Sequence, residues 1–168
     1  MTTSRPPALS ISVASESDRA VLEQLWTMFR HDMSAHSGDL PNERGRFRQE
    51  RLDRALRDRE WRVYIVRIGT APAGLCIIRA LEAHETVIGS FFLVNAARRL
   101  GHGRSIIRQI TRENPGRWAV AFQETNETAA AFWSAVASEA DPRWTRRREP
   151  VPGRPDLPPD NWIRFEVR

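Results

Sequence analysis

The stretch Phe91-Phe92-Leu93-Val94-Asn95-Ala96-Ala97-Arg98-Arg99-Leu100-Gly101-His102-Gly103-Arg104-Ser105 constrains the fold more than any other part of the chain. Its first four residues close a run that is apolar on both faces, as a central strand requires. A basic turn with two glycines follows, and then Ile106, Ile107 and Ile110 recur at helical spacing. A strand that feeds a helix in this way belongs to a layered α/β domain. The first amides of such a helix have no internal acceptor, and the macrodipole adds positive potential there. Gly101 and Gly103 carry no side chain to keep a diphosphate from the backbone, and Arg98, Arg99 and Arg104 add charge. The local chemistry suits a phosphate-bearing ligand. An ordinary glycine turn fits the same residues. The dinucleotide fingerprint fails, because a third glycine and the acidic residue on a following strand are missing. The Walker A fingerprint fails for want of Gly-Lys-Ser/Thr.

The flanking sequence supplies the other layers. Residues 1–8 read as a polar, fraying tail, and residues 9–168 as a single domain. Residues 9–14 alternate as an edge strand, and Ser15-Glu16-Ser17-Asp18 has capping-box spacing. Val21, Leu22, Leu25, Trp26, Phe29 and Met33 then line one face of a helix expected to end at residues 31–34. A polar loop, 36–46, leads to a second helix over 47–57. Leu52, Ala55 and Leu56 face inward there, and Glu50–Arg54 and Asp53–Arg57 stand at i,i+4. Strands are expected over 61–68, 73–81 and 86–94, with a turn at 69–72. After the glycine turn come a helix over 104–112, a strand over 117–122 and a helix opened by Asn126. A strand over 144–148 and a closing strand over 162–167 flank a stiff loop, 150–159, with five prolines. The order β-α-α-β-β-β-α-β-α-β-β describes a mixed sheet with helices on both faces.

Composition narrows the chemistry. The 168 residues include 26 Lys plus Arg against 21 Asp plus Glu, a net charge of +5, and every basic residue is Arg. Mechanisms through a lysine Schiff base or a P-loop lysine are excluded. The arginines are scattered among carboxylates, so a nucleic-acid partner is not favoured, and a GC-rich coding background accounts for the bias. Cys76 is the one cysteine, which rules out a multi-cysteine metal site and an internal disulfide; its place in an apolar run reads as core. No metal is expected. No apolar run reaches the ~20 residues of a membrane span, and residues 1–9 lack a secretory apolar segment. These features fit a cytoplasmic protein.

Two motifs together resemble the GNAT N-acetyltransferase superfamily. Arg98-x-x-Gly101-x-Gly103 after a strand resembles its acyl-CoA signature. Asn126-Glu127-Thr128-Ala129-Ala130-Ala131-Phe132-Trp133 is similar to the Asn-x-x-Ala-x-x-Phe-Tyr of its last helix. The likeness extends over residues 9–167. It implies a mixed, mostly antiparallel sheet in which the strands ending at Val94 and Phe122 lie parallel and splay apart. The acyl-CoA pantetheine arm would lie in that gap and pair with the backbone of Leu93 and Val94. The pyrophosphate would take the amides of Arg99, Leu100, Gly101, His102, Gly103 and Arg104, with Arg98 and Ser105 beside it. Asn126 and Phe132 would line the far side. An amine would then attack the thioester directly.

The sequence departs from that pattern at two positions. Many members place a Glu where Ser90 stands and a Tyr where Trp133 stands. The chain's one tyrosine, Tyr64, lies on another strand, and an indole is no acid near neutral pH. Glu124, beside the expected gap, is the favoured general base, followed by Glu85. Glu82, His84 and His31 with Asp32 are further candidates, and catalysis by positioning is an alternative. His31 and Asp32, at the end of the first helix, are expected to border the acceptor. The carboxylates Asp32, Asp39, Glu43, Glu82 and Glu85 would suit a cationic amine, small molecule or peptide. Trp118, Trp144 and Trp162 read as core more readily than as interface. Many members of the family dimerise; the sequence itself leaves the oligomeric state open. The second functional reading is a non-catalytic acyl-CoA-binding module.

Overall fold

The computed structural model describes residues 7–168. The tail expected over 1–8 therefore lies mostly outside the described residues. Leu9–Val13 forms β1, and a 3-10 turn over Glu16–Asp18 leads into α1, Arg19–Ser37. The turn is closed by Ser15, whose backbone N–H and hydroxyl both donate to the Asp18 carboxylate, at 2.8 and 3.0 Å. Then follow α2 (Glu50–Arg57), β2 (Arg62–Ile68), β3 (Ala71–Arg79), β4 (Thr86–Leu93), α3 (His102–Glu113), β5 (Gly116–Phe122), α4 (Glu127–Ala140), β6 (Thr145–Glu149) and β7 (Asp160–Val167). The order of helices and strands matches the sequence-based expectation.

Several boundaries differ, each for a local reason. α1 runs past residues 31–34 to Ser37, where Gly38 at φ 70° accepts the left-handed cap. α2 starts at Glu50 rather than 47, because the preceding loop is tied to α1: the Trp26 indole donates to the Arg48 carbonyl at 2.8 Å. The β2–β3 turn is only Gly69 and Thr70, so Ala71 and Pro72 are already in β3. α3 starts at His102, which places Gly103 inside the helix. The expected i,i+4 pairs on α2 give way to others: Asp53 pairs with Arg19 of α1 at 3.1 Å, and Arg54 with Asp58 at 3.2 Å.

The seven strands form one sheet in the order β1-β2-β3-β4-β5-β7-β6. Among the described residues, only β4 and β5 run parallel. Each face has its own core. Val63, Ile65, Leu75, Ile77 and Phe92 meet α1 and α2 on one side; Cys76, Ile78, Ile106, Ile110, Trp118 and Trp133 pack together on the other, under α3 and α4. Burial on both faces is why residues 75–78 are all inaccessible and read as a continuous apolar run. Trp118 is fully buried, and Trp144 and Trp162 are partly so.

Candidate functional site: the gap between β4 and β5

β4 and β5 pair over three rungs only, Thr86↔Trp118, Val87↔Ala119 and Ile88↔Val120. Beyond them the strands part. β4 continues to Leu93 paired with β3, and β5 continues to Phe122 paired with β7. Each strand is thus held from outside while its inner edge is open. Open edges in mid-sheet accept an extended, amide-bearing ligand, as an exposed sheet edge accepts a strand. The divergence begins at Gly89, an extra residue between Ile88 (opposite Ile78) and Ser90 (opposite Ile77), so β4 carries a bulge there.

The slot leads to the glycine turn. Between the Arg98 N–H, bonded to the Asn95 carbonyl at 3.1 Å, and the Ser105 N–H, bonded to the Gly101 carbonyl at 3.3 Å, the amides of residues 99–104 have no protein acceptor among the described residues. Arg99 at φ 62° and Gly101 at φ 78° are left-handed, so successive N–H groups turn toward a common side. α3, twelve residues long, adds its dipole. This is a geometry for a polyphosphate anion.

The two glycines do different work. A Cβ on Gly101 would meet nothing within 4 Å, so its requirement is the positive φ. A Cβ on Gly103 would stand 3.0 Å from Cε2 of Phe132. Gly103 is therefore required for packing against Phe132, a role the sequence-based account did not include. Phe132 stacks on Phe91 (5.6 Å between centroids) and meets Trp133 edge-on (4.8 Å), forming an aromatic wall beside the slot.

Other expectations need correction. Both backbone groups of Val94 are already engaged: its N–H donates to the Ala73 carbonyl and its carbonyl accepts from Ala97, both at 2.9 Å. Strand alternation leaves the Leu93 N–H directed to the slot, while the Leu93 carbonyl accepts from Arg98 Nε at 2.6 Å. Arg98 also pairs with Asp32 and lies over the Phe92 ring, so it ties the turn to α1. Arg104 pairs with Glu139 of α4 at 2.5 Å. Asn126 is the N-cap of α4, its side chain accepting from the Ala129 N–H at 3.0 Å, and it is buried. His102 and Ser105 sit on the first turn of α3, and Leu100 is exposed beside it.

The favoured bases are not arranged as bases. Glu124 is half exposed and pairs with Arg148 of β6 at 2.8 Å. Glu85 pairs with Arg164 at 3.2 Å; it precedes the paired end of β4, five residues from Ser90, or roughly 17 Å along a strand. Glu82 pairs with Arg59 at 3.6 Å, and His84 contacts Arg117 at 3.3 Å. Asp32 is taken by Arg98, and His31 is 80% exposed. Tyr64 is buried against Asn114. Burial also pushes the Cys76 thiol up, well out of the reactive range.

Side chains that local reasoning passed over stand at the mouth of the slot on the α1/α2 face. Arg51 of α2 donates to the Gly89 carbonyl at 2.8 Å and approaches the Ser90 hydroxyl at 3.5 Å. Ser90 itself donates to the same carbonyl at 2.8 Å and is buried. Gly89 inside an apolar strand was the available signal for the bulge. Nothing local pointed to Arg51.

No family model and no curated protein sequence matches this chain. Solved structures do. An acetyltransferase from Thermus thermophilus superposes at TM-score 0.69 and 15% identity, over 95% of this chain and 97% of that one. The spermidine N-acetyltransferase of Vibrio cholerae, solved with CoA and spermine, gives 0.65 and 11%, over 94% and 95%. The ribosomal-protein-S18-alanine N-acetyltransferase of Escherichia coli gives 0.61 and 13%, over 95% and 94%. At these identities the likeness is one of architecture, and it includes the parallel strand pair that the two sequence motifs implied. The chain is built on the GNAT N-acetyltransferase fold.

Proposed function

We propose that residues 9–168 act as one acyl-CoA-dependent N-acyltransferase unit in the cytoplasm, moving an acetyl group from acetyl-CoA to a primary amine. One observation carries the reading: the inner edges of β4 and β5 open after three rungs and lead directly to the unpartnered amides of residues 99–104. A ligand with an extended amide arm and a pyrophosphate fits both parts. The solved structures of this fold that hold CoA agree with that choice. When bound, acetyl-CoA supplies the thioester carbonyl. The Leu93 N–H fixes the arm, the turn amides fix the pyrophosphate, and Phe91, Phe132 and Trp133 form the wall.

The acceptor's ammonium gives up two protons across the reaction, one to solvent and one to the departing thiolate. Its nitrogen forms the new C–N bond as the C–S bond breaks. Ser90 and Trp133 stand where a base and an acid would serve, and neither can, so we assign catalysis to positioning. The pH profile of kcat/KM should then rise to the pKa of the amine itself, and should shift when the amine is changed. A fixed inflection near neutrality would instead reveal a side-chain base.

The ion pairing of Glu124 and Glu85 favours a second reading, a CoA-binding module without turnover. Calorimetric titration with acetyl-CoA, beside Gly101→Glu, tests binding; CoA release across an amine panel separates the readings. Binding with no release from any amine supports the module. No binding by the unaltered protein overturns both.

A further inference from the structure

We infer that the acceptor is an amine carrying its own anion, a carboxylate or phosphate a few atoms from the nitrogen, and that Arg51 receives it. This rests on the acyltransferase reading for the identity of the site. Most of the carboxylates that would have suited a polyamine are neutralised: Asp32 by Arg98, Asp39 by Arg30, Glu82 by Arg59 and Glu85 by Arg164. The side chains nearest the Gly89 bulge are basic. Arg30, Arg48, Arg51 and Arg79 gather on the α1/α2 side, and Asp39, paired with Arg30 and with Arg48 at 3.5 Å, is the carboxylate bonded among them.

Among the described residues, Arg51 bonds only to the neutral Gly89 carbonyl and Ser90 hydroxyl. The Arg79 side chain, with Cδ and Nε 3.9 and 4.0 Å from where a Gly89 Cβ would stand, has no hydrogen-bond or ion-pair partner among the described residues. Burial, then Arg79, Arg30 and Arg48, lower the Arg51 pKa, and among the described residues Arg51 itself has no ion-pair partner. Like-charged guanidinium groups gathered on one face are unfavourable unless an anion joins them. The bulge puts this charge where β4 leaves β5, so an anion held by Arg51 sets its amine beside the slot. A guanidinium fork matches a carboxylate or phosphate in two parallel hydrogen bonds.

The test is CoA release from acetyl-CoA with four probe sets: the α-amino acids, their carboxamides, phosphoethanolamine and spermidine. An acid or phosphoethanolamine should exceed the uncharged or polycationic probes by about tenfold or more in kcat/KM, the worth of a charge-assisted hydrogen bond. Preference between acid and phosphoethanolamine identifies the anion. Arg51→Gln should erase the preference and leave acetyl-CoA affinity unchanged, while Arg51→Lys should restore part of it. Carboxamides or spermidine reacting as well as the acids would overturn the proposal, and so would an equal loss for all probes in Arg51→Gln. Thermal shift with the same probes, with and without CoA, decides the matter apart from turnover. Arg51-dependent stabilisation by the anionic probes alone upholds the anion site even where acyl transfer fails. No such stabilisation, together with no anionic preference in turnover, overturns it.

Discussion

Two regions flank the β4–β5 slot, and both are suited to anions by different means. On the α3 side the donors are backbone amides, residues 99–104, fixed by a left-handed turn and a helix start. On the α1/α2 side they are guanidinium groups from residues 30, 48, 51 and 79, delivered by two helices, a loop and a strand. Backbone donors cannot be mutated away, but their geometry can be spoiled by one side chain. Guanidinium donors tolerate geometric error yet vanish singly. A site built from amides suits a ligand part that never changes; a site built from side chains suits the part that sets specificity.

The largest expected effect tests the amide region. Gly101→Glu forces a φ of 78° on a non-glycine residue and sets a carboxylate among the amides, and acetyl-CoA affinity should fall at least about a hundredfold by calorimetry. A loss under about threefold would move the pyrophosphate elsewhere. Next, Gly103→Ala should cost about 1–3 kcal/mol of stability through the Phe132 contact at 3.0 Å. Phe132→Leu in the same chain should recover part of it in denaturant titration. Full stability of Gly103→Ala alone would remove the packing role.

A control lies away from both regions. The Ser15 backbone N–H, and then Arg67, hold the Asp18 carboxyl below the usual carboxylate range. A lowered folded-state pKa gives stability that is present above the unfolded value of ~3.9 and lost as pH falls through the folded one. Asp18→Asn should lower Tm by about 2–4 °C at pH 7, and the two melting curves should converge toward pH 2. A constant gap across that range would assign the effect to packing.

Smaller still, Arg79→Gln should narrow the preference for anionic over uncharged amines by about threefold while acetyl-CoA affinity holds, since long-range charge is partly screened. An altered CoA affinity would merge the two regions into one. The smallest effect concerns the contact that joins them. The Arg98–Asp32 pair is about one-third exposed on both sides. A double-mutant cycle should give coupling of about 0.5 kcal/mol, diminished by salt. A much larger value would make α1 and the turn one rigid element.

The amide region is readable because its determinants are contiguous. Gly101, the basic turn and the isoleucines of α3 follow one another, so spacing alone locates the unpartnered amides. Sequence reasoning errs where a residue's partner comes from another element. The packing role of Gly103 escapes it because Phe132 lies far along the chain. Val94 reads as an open strand end because its amide bonds across to Ala73 and its carbonyl turns back to Ala97. Glu124 and Glu85 read as free carboxylates because Arg148 and Arg164 reach them only across the folded sheet.

The order of helices and strands, the apolar faces that place a sheet between two helical layers, and the turn whose amides lack acceptors are all legible in the chain before it folds. Each follows from periodicity or from backbone conformation within a few residues. Three features emerge with folding: β4 and β5 part after Ile88, most of the candidate carboxylates are already neutralised, and Arg51 stands over the bulge at Gly89. Beyond Ile88 and Val120 the two strands are held by outer neighbours remote in sequence, β4 by β3 and β5 by β7. Charge pairing depends on distances between residues remote in sequence, and these exist only once the chain has folded.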